Sequence, residues 1–171
     1  MDQTLPKDHA LTLFEVIDAL TADGLIDGDE AARFKQERRY YKSEIHPLVV
    51  IAEQRWKSLQ PPHRLLDLPQ LTQWLARWSG LDYQHIDPLK VNFAAVTEVM
   101  SSGYATRFRI LPVAVTPQEV VIATAEPFQR GWETELRPIL NNRAIRRVIA
   151  NPLDIARFQV EFYNLAKSVK G

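Results

Sequence analysis

The apolar positions of the first half of the chain recur at helical spacing. Leu13, Val16, Ile17 and Leu20 stand at i, i+3, i+4 and i+7, one stripe of an amphipathic helix that stops at Asp23-Gly24. After Leu25-Ile26, the run GDEAARFKQERRYYK predicts a second helix. Asp29 is its expected N-cap, Glu30 lies in its first turn, and basic residues lie near its end, where the helix dipole favours them. Together these predict a helical hairpin. A third apolar run, LVVIAEQRW, opens at His46-Pro47, where proline is tolerated because the first helical turn needs no intrahelical donor. SLQPPHR then breaks the pattern, since Pro61-Pro62 cannot continue a helix. Residues 58–68 are therefore expected either to join a helical N-terminal part, residues 1–60, to a second part, residues 68–171, or to form a loop inside one domain.

In the second part, PQLTQWLARWSG places Leu71, Trp74, Leu75 and Trp78 on one face before Gly80. A short strand is predicted at Tyr83–Ile86, and Asn92 is the expected cap of a helix carrying Phe93, Val96, Val99 and Met100. The pattern then changes from helix to strand. Ile110–Val115 and Val120–Ala125 are rich in Val and Ile and flank TPQE, where Pro117 presets φ for a turn, so a hairpin is predicted. GWETELRPILNN carries Trp132, Leu136, Ile139 and Leu140 at helical spacing, mildly interrupted by Pro138, and AIRRVIA reads as a third strand. NPLDIARFQVEFYNLAKS has Asn151 as cap, Pro152 as first helical residue and Asp154 near the positive end of the dipole, with Ile155, Phe158, Phe162 and Leu165 along one stripe. The fold class is α+β: a helical N-terminal part followed by a small three- to four-stranded sheet packed with helices. No internal repeat or low-complexity tract stands out.

Composition narrows the function classes. Of 171 residues, 46% are hydrophobic and 25% charged, enough to build a packed core. Lys plus Arg and Asp plus Glu number 21 each, so no global field draws the chain to nucleic acid or an anionic membrane. The absence of cysteine removes disulfides, thiolate nucleophiles and thiolate metal sites, and is compatible with a reducing cytoplasm. No apolar run reaches signal or membrane-spanning length, so direct membrane insertion is not expected and work at a membrane would go through a partner.

Catalytic motifs are missing from the sequence. A P-loop needs glycines five positions apart around its phosphates, and the six glycines, at 24, 28, 80, 103, 131 and 171, include no such pair and no G-x-G-x-x-G. The four histidines never fall at i+3 or i+4, no cysteines assist them, and no G-x-S-x-G elbow is present. Glu126, Asp154, Asp27, Asp29 and Glu30 sit beside helix starts and read as caps rather than paired acids, and Asp27-Gly28-Asp29 lacks the distal ligands of a calcium loop. No catalytic, cofactor-binding or metal residue is therefore assigned. Two basic spots remain as partner-binding candidates: Arg38, Arg39, Tyr40 and Tyr41, and Arg146 with Arg147, near Arg143. Read structurally, they are solvated helix ends and strand edges, and Trp74 and Trp78 are core.

The order of these elements carries a resemblance. LPVAVTPQEVVIATAEPF, a helix, and then IRRVIANPLDIARFQVEFYNLAKS resemble the N-terminal domain of type II secretion and type IV pilus assembly ATPases, the general secretory pathway protein E family, and WLARWSGLDYQHIDPLKV resembles the segment ahead of it. The match runs over roughly residues 68–171. It implies a non-catalytic docking or regulatory domain, cytoplasmic and peripheral to the bacterial inner membrane. Its implied partners are the cytoplasmic region of an inner-membrane assembly protein and its own C-terminal ATPase domain, hexameric in the full-length protein, with no nucleic acid. ATP and Mg are expected only in that motor, beyond LAKSVKG, where the sequence stops without a capping element of its own. Some relatives bind cyclic di-GMP through motifs resembling R-L-G-x-x-L-x-x-x-G-L-[LI]. EVIDALTADGLI retains Leu20, Gly24, Leu25 and Ile26, but Glu15-Val16-Ile17 stands where Arg-Leu-Gly would be, without the arginine and the close-approach glycine. Cyclic di-GMP sensing is therefore the alternative reading.

Overall fold

The computed structural model describes residues 8–39 and 44–170. They fall into two compact units: Leu11–Leu71, and Thr72 onward together with the segment that ends at Ala10.

In the first unit, α1 (Leu13–Ala22) buries Leu13, Val16, Ile17 and Leu20 and opens with a reciprocal capping box between Thr12 and Glu15. It is closed by Gly24, whose φ of 73° favours a residue without a Cβ. The cap of α2 (Gly28–Glu37) is Asp27, not Asp29. Asp27 keeps an extended backbone and accepts from Glu30 N at 3.2 Å, which leaves Asp29 inside the first turn. α3 (Pro47–Glu53) is shorter than its apolar run suggests; His46 Nδ1 accepts from Leu48 N at one end, and Arg55 turns left-handed, φ 56°, just past the other. The proline-rich stretch folds back on itself: Lys57 bridges Leu65, Ser58 N donates to Arg64 O at 2.8 Å, and Pro61-Pro62 between them is cis. α4 (Leu68–Ser79) then carries the chain out of this unit, with Asp67 accepting from Gln70 N at its start.

The second unit contains β1 (Asp82–Tyr83), α5 (Phe93–Val96), α6 (Ser102–Phe108), β2 (Ile110–Val115), β3 (Glu119–Thr124), α7 (Gly131–Leu136), β4 (Ala144–Ile149) and α8 (Pro152–Lys170). The sheet order is β1-β4-β3-β2, with β2 and β3 antiparallel and β3, β4 and β1 parallel. Three expectations are corrected here. The predicted helix over Phe93 to Met100 is a single turn, because Ser101 caps a new helix by accepting from Tyr104 N, and α6 was not expected. The predicted strand at Tyr83–Ile86 pairs only through Asp82 and Tyr83, while Ile86 packs in the core without being in a strand. Pro138 tightens the end of α7 into a 3-10 turn, Arg137–Ile139, and Ile139 is left 60% exposed instead of facing the core.

Alternation along the strands builds a core on each side of the sheet. Leu111, Val113, Val121, Ala123 and Val148 meet Ile155, Phe158 and Phe162 of α8 on one side. On the other, Ile110, Val120 and Ile122 meet Trp132, Leu136 and Leu140. The α8 stripe continues through Ala166, whereas Leu165, expected on it, is 48% exposed. Two polar side chains of α8 reach across this core. Gln159 Nε2 donates to Ala105 O and Ile110 O, each at 2.9 Å, on either side of Arg109, whose φ of 55° ends α6, and Tyr163 Oη donates to Met100 O at 2.8 Å. Burial pushes the Tyr163 phenol up to about 12.

Candidate docking surface

The two strand arginines have separate fates, because neighbours on a strand face opposite sides of the sheet. Arg146 lies on an exposed position, with Nε 3.3 Å from Glu119 Oε2 across the β3–β4 pairing. Arg147 turns to the α7 side. Its Nε is 2.9 Å from Glu133 Oε1, a terminal nitrogen donates to Pro127 O at 2.7 Å, and both side chains of the pair are about nine-tenths hidden, at 11% and 10% exposure. Burial draws the Arg147 guanidinium below its ordinary value, and the Glu133 carboxylate partly offsets this. Arg147 is therefore an internal cross-link between β4 and α7 rather than the solvated strand-edge arginine that the sequence suggested.

Glu133 is the residue that sequence reasoning missed. Two further guanidiniums reach it, Arg137 at 3.5 Å and Arg130 at 3.8 Å, and both are exposed. The only local signal was the i, i+3 and i, i+4 spacing of arginines around one acid; the pairing with Arg147 joins separate elements and leaves no trace in the pattern. The start of α7 is held by Asp8, whose carboxylate accepts from the N–H groups of Arg130 and, at 3.0 Å, Gly131. His9 stacks on Phe128 with ring centroids 5.5 Å apart, and the series continues edge-on to Trp78, 5.3 Å, and by stacking to Trp74, 5.1 Å.

The other predicted spot lies in the first unit. Arg38 ends α2 with its guanidinium 5.3 Å over the Phe34 ring, and Arg39 follows it. Tyr40 and Tyr41 lie outside the described residues. The segment compared with a cyclic di-GMP motif is also placed. Glu15 is committed to the capping box, and Val16 and Ile17 are fully buried, so an acid and a packed side chain occupy the positions where the motif has arginine and glycine. No helix among the described residues is long and apolar enough to cross a membrane.

A hairpin, a crossover helix, a parallel strand and a long C-terminal helix, with the buried Glu133–Arg147 pair between β4 and α7, describe an α+β domain. Residues 79–169 match the MshEN domain model, and the chain belongs to that family. It is similar to the type IV pilus assembly ATPase TfpB of Acinetobacter baylyi, 33% identical over 154 residues that cover 90% of this chain and 26% of that protein. The chain thus spans about a quarter of the length of that relative. Among solved structures, that of MshE with cdg superposes with a TM-score of 0.62 at 16% identity, covering 90% of this chain and 99% of the other. The N-terminal domain of XpsE matches with a TM-score of 0.45 at 11% identity, covering 94% and 98%. The resemblance to secretion and pilus ATPase N-terminal domains, and the α+β fold class it implied, are thereby shown.

Proposed function

We propose that this chain is a docking and regulatory domain standing ahead of the motor in a secretion or pilus assembly ATPase. On this reading it has no catalysis of its own. It binds the cytoplasmic region of an inner-membrane assembly protein, which holds it at the membrane, and transmits that contact to a hexameric ATPase domain where ATP and Mg are bound. The MshEN match over residues 79–169 carries the reading, and the identity with a type IV pilus assembly ATPase supports the pilus branch. The test is a pull-down of the assembly protein's cytoplasmic region with this chain; retention at micromolar concentrations is expected, and no association would sink the reading.

A second reading, cyclic di-GMP sensing, is favoured by the fold shared with MshE, whose structure was determined with cdg. Against it stand Glu15, an anion where phosphate would need a cation, and Ile17, whose buried side chain fills the position of the close-approach glycine. Isothermal calorimetry with cyclic di-GMP is expected to show no heat of binding up to millimolar ligand. Binding at micromolar ligand would reinstate the sensor.

A further inference from the structure

Among the described residues, the large apolar side chains left exposed on α-helices all belong to α8: Leu153 at 55% exposure, Val160 at 61% and Leu165 at 48%. The other face of this helix is committed to the core through Ile155, Phe158 and Phe162. At about 100° per residue, Leu153, Arg157, Val160 and Asn164 fall within about 60° of one another on the side away from that core, and Glu161 and Leu165 lie on the flank beyond Arg157. Arg157 and Glu161 are both exposed, and among the described residues neither has an ion-pair partner. Arg157 lies instead over the ring of its neighbour Phe158, 4.4 Å from the centroid. The outer face of α8 is thus an apolar stripe with one unpaired charge of each sign beside it.

These charges select the occupant. With Arg157 and Glu161 cancelling, the stripe has no net field to draw an anionic membrane or a strongly charged partner, but it is complementary to itself. In an antiparallel pair of helices related by a two-fold axis, residues on the same flank of the seam meet, so Arg157 of each copy faces Glu161 of the other. Their four-residue separation puts the axis level with Gln159 and sets the two copies of Val160 against each other, about 3 Å apart along the helix direction. The antiparallel arrangement also brings the acidic start of α8, at Asp154, towards the basic end of the other copy, at Lys167, and opposes the two helix dipoles. We propose that two copies of this chain pair through the outer face of α8, antiparallel and two-fold symmetric, with Val160 at the axis. One helix pair buries less than the roughly 800 Å² per partner of a standard interface, so the dissociation constant is of the order of 10–100 μM. The proposal does not rest on the docking reading above.

Sedimentation equilibrium of the 171-residue chain tests this, from about 1 to 500 μM at low salt, where a reversible monomer–dimer equilibrium is expected. Val160→Lys, at an exposed position that folding does not use, is expected to weaken the dimer by about tenfold or more. Arg157→Glu and Glu161→Arg each place like charges opposite one another at two symmetric points, and each variant alone is expected to stay monomeric. Mixed in equal amounts they are expected to form a heterodimer, because each then meets its complement twice; the double variant, with the charges exchanged, is expected to pair with itself. Urea midpoints equal to that of the unmodified chain confirm that these exposed substitutions leave the fold intact. A chain that remains monomeric at 500 μM overturns the proposal, as does a dimer that Val160→Lys leaves unchanged. Single variants that stay apart when mixed overturn the antiparallel register.

Discussion

Arg146 and Arg147 are chemically identical neighbours, and the structure gives them opposite roles through the two-residue period of a strand. Arg146 stays exposed beside Glu119, whereas Arg147 is desolvated and depends on Glu133 and Pro127 O. Arginine does not surrender its proton in a protein, so removing the carboxylate strands a buried charge. Glu133→Ala is expected to destabilise the domain by about 3–5 kcal/mol in urea unfolding, whereas an apolar replacement of both partners, Glu133→Leu with Arg147→Met, restores most of the loss. A double variant no better than the single one would show that the pair's hydrogen bonds, not its uncompensated charge, set the cost. The alternation of faces was legible in AIRRVIA. Which face held an acid was not, because Glu133 reaches Arg147 through the tertiary arrangement of α7 on the sheet.

At the scale of elements, the apolar stripes of α1 and α8 and the Val- and Ile-rich strands were readable from spacing alone, since burial of one face sets that spacing. The errors cluster where a short side-chain bond or a proline outweighs the stripe. Ser101 interrupts one apolar run by capping, and Pro138 turns another into a 3-10 turn. The clamp that α8 applies to α6 and β2 was equally hidden, because Gln159 and Tyr163 look like ordinary polar positions of an amphipathic helix. Tyr163 gives this clamp a pH signature. Its folded pKa is raised from 10.0 to about 12, so its contribution is complete below pH 10 and is lost as pH rises through 12. Tyr163→Phe is expected to cost about 1 kcal/mol at neutral pH through the lost bond to Met100 O. It is also expected to flatten part of the alkaline fall in the urea midpoint; Tyr104, likewise raised to about 12, and Tyr83, raised by burial and by Asp154, still contribute to it. A fall of unchanged steepness in the variant would place the alkaline sensitivity elsewhere.

Across the described residues, the segment from Asp8 to Ala10 belongs to the sheet-bearing unit, the chain leaves that unit at Leu11 and it returns at Thr72. No periodicity announces such a discontinuous unit, because the tie is made by two residues of an otherwise unpatterned segment. Asp8 satisfies N–H groups at the start of α7, which is too short to hold itself, and His9 covers Phe128, with His9 N donating to Phe128 O at 3.0 Å. Substituting both, Asp8→Ala with His9→Ala, is expected to cost about 1–2 kcal/mol through the lost cap and ring contact. Amide exchange should locate that loss. Gly131–Leu136 should exchange about tenfold faster, while the amides of α1 and α2 keep their protection, because the strap and α7 share a unit that α1 and α2 do not. Uniform acceleration in both units would instead mean that they unfold as one, and would make the strap a lock on the entire chain.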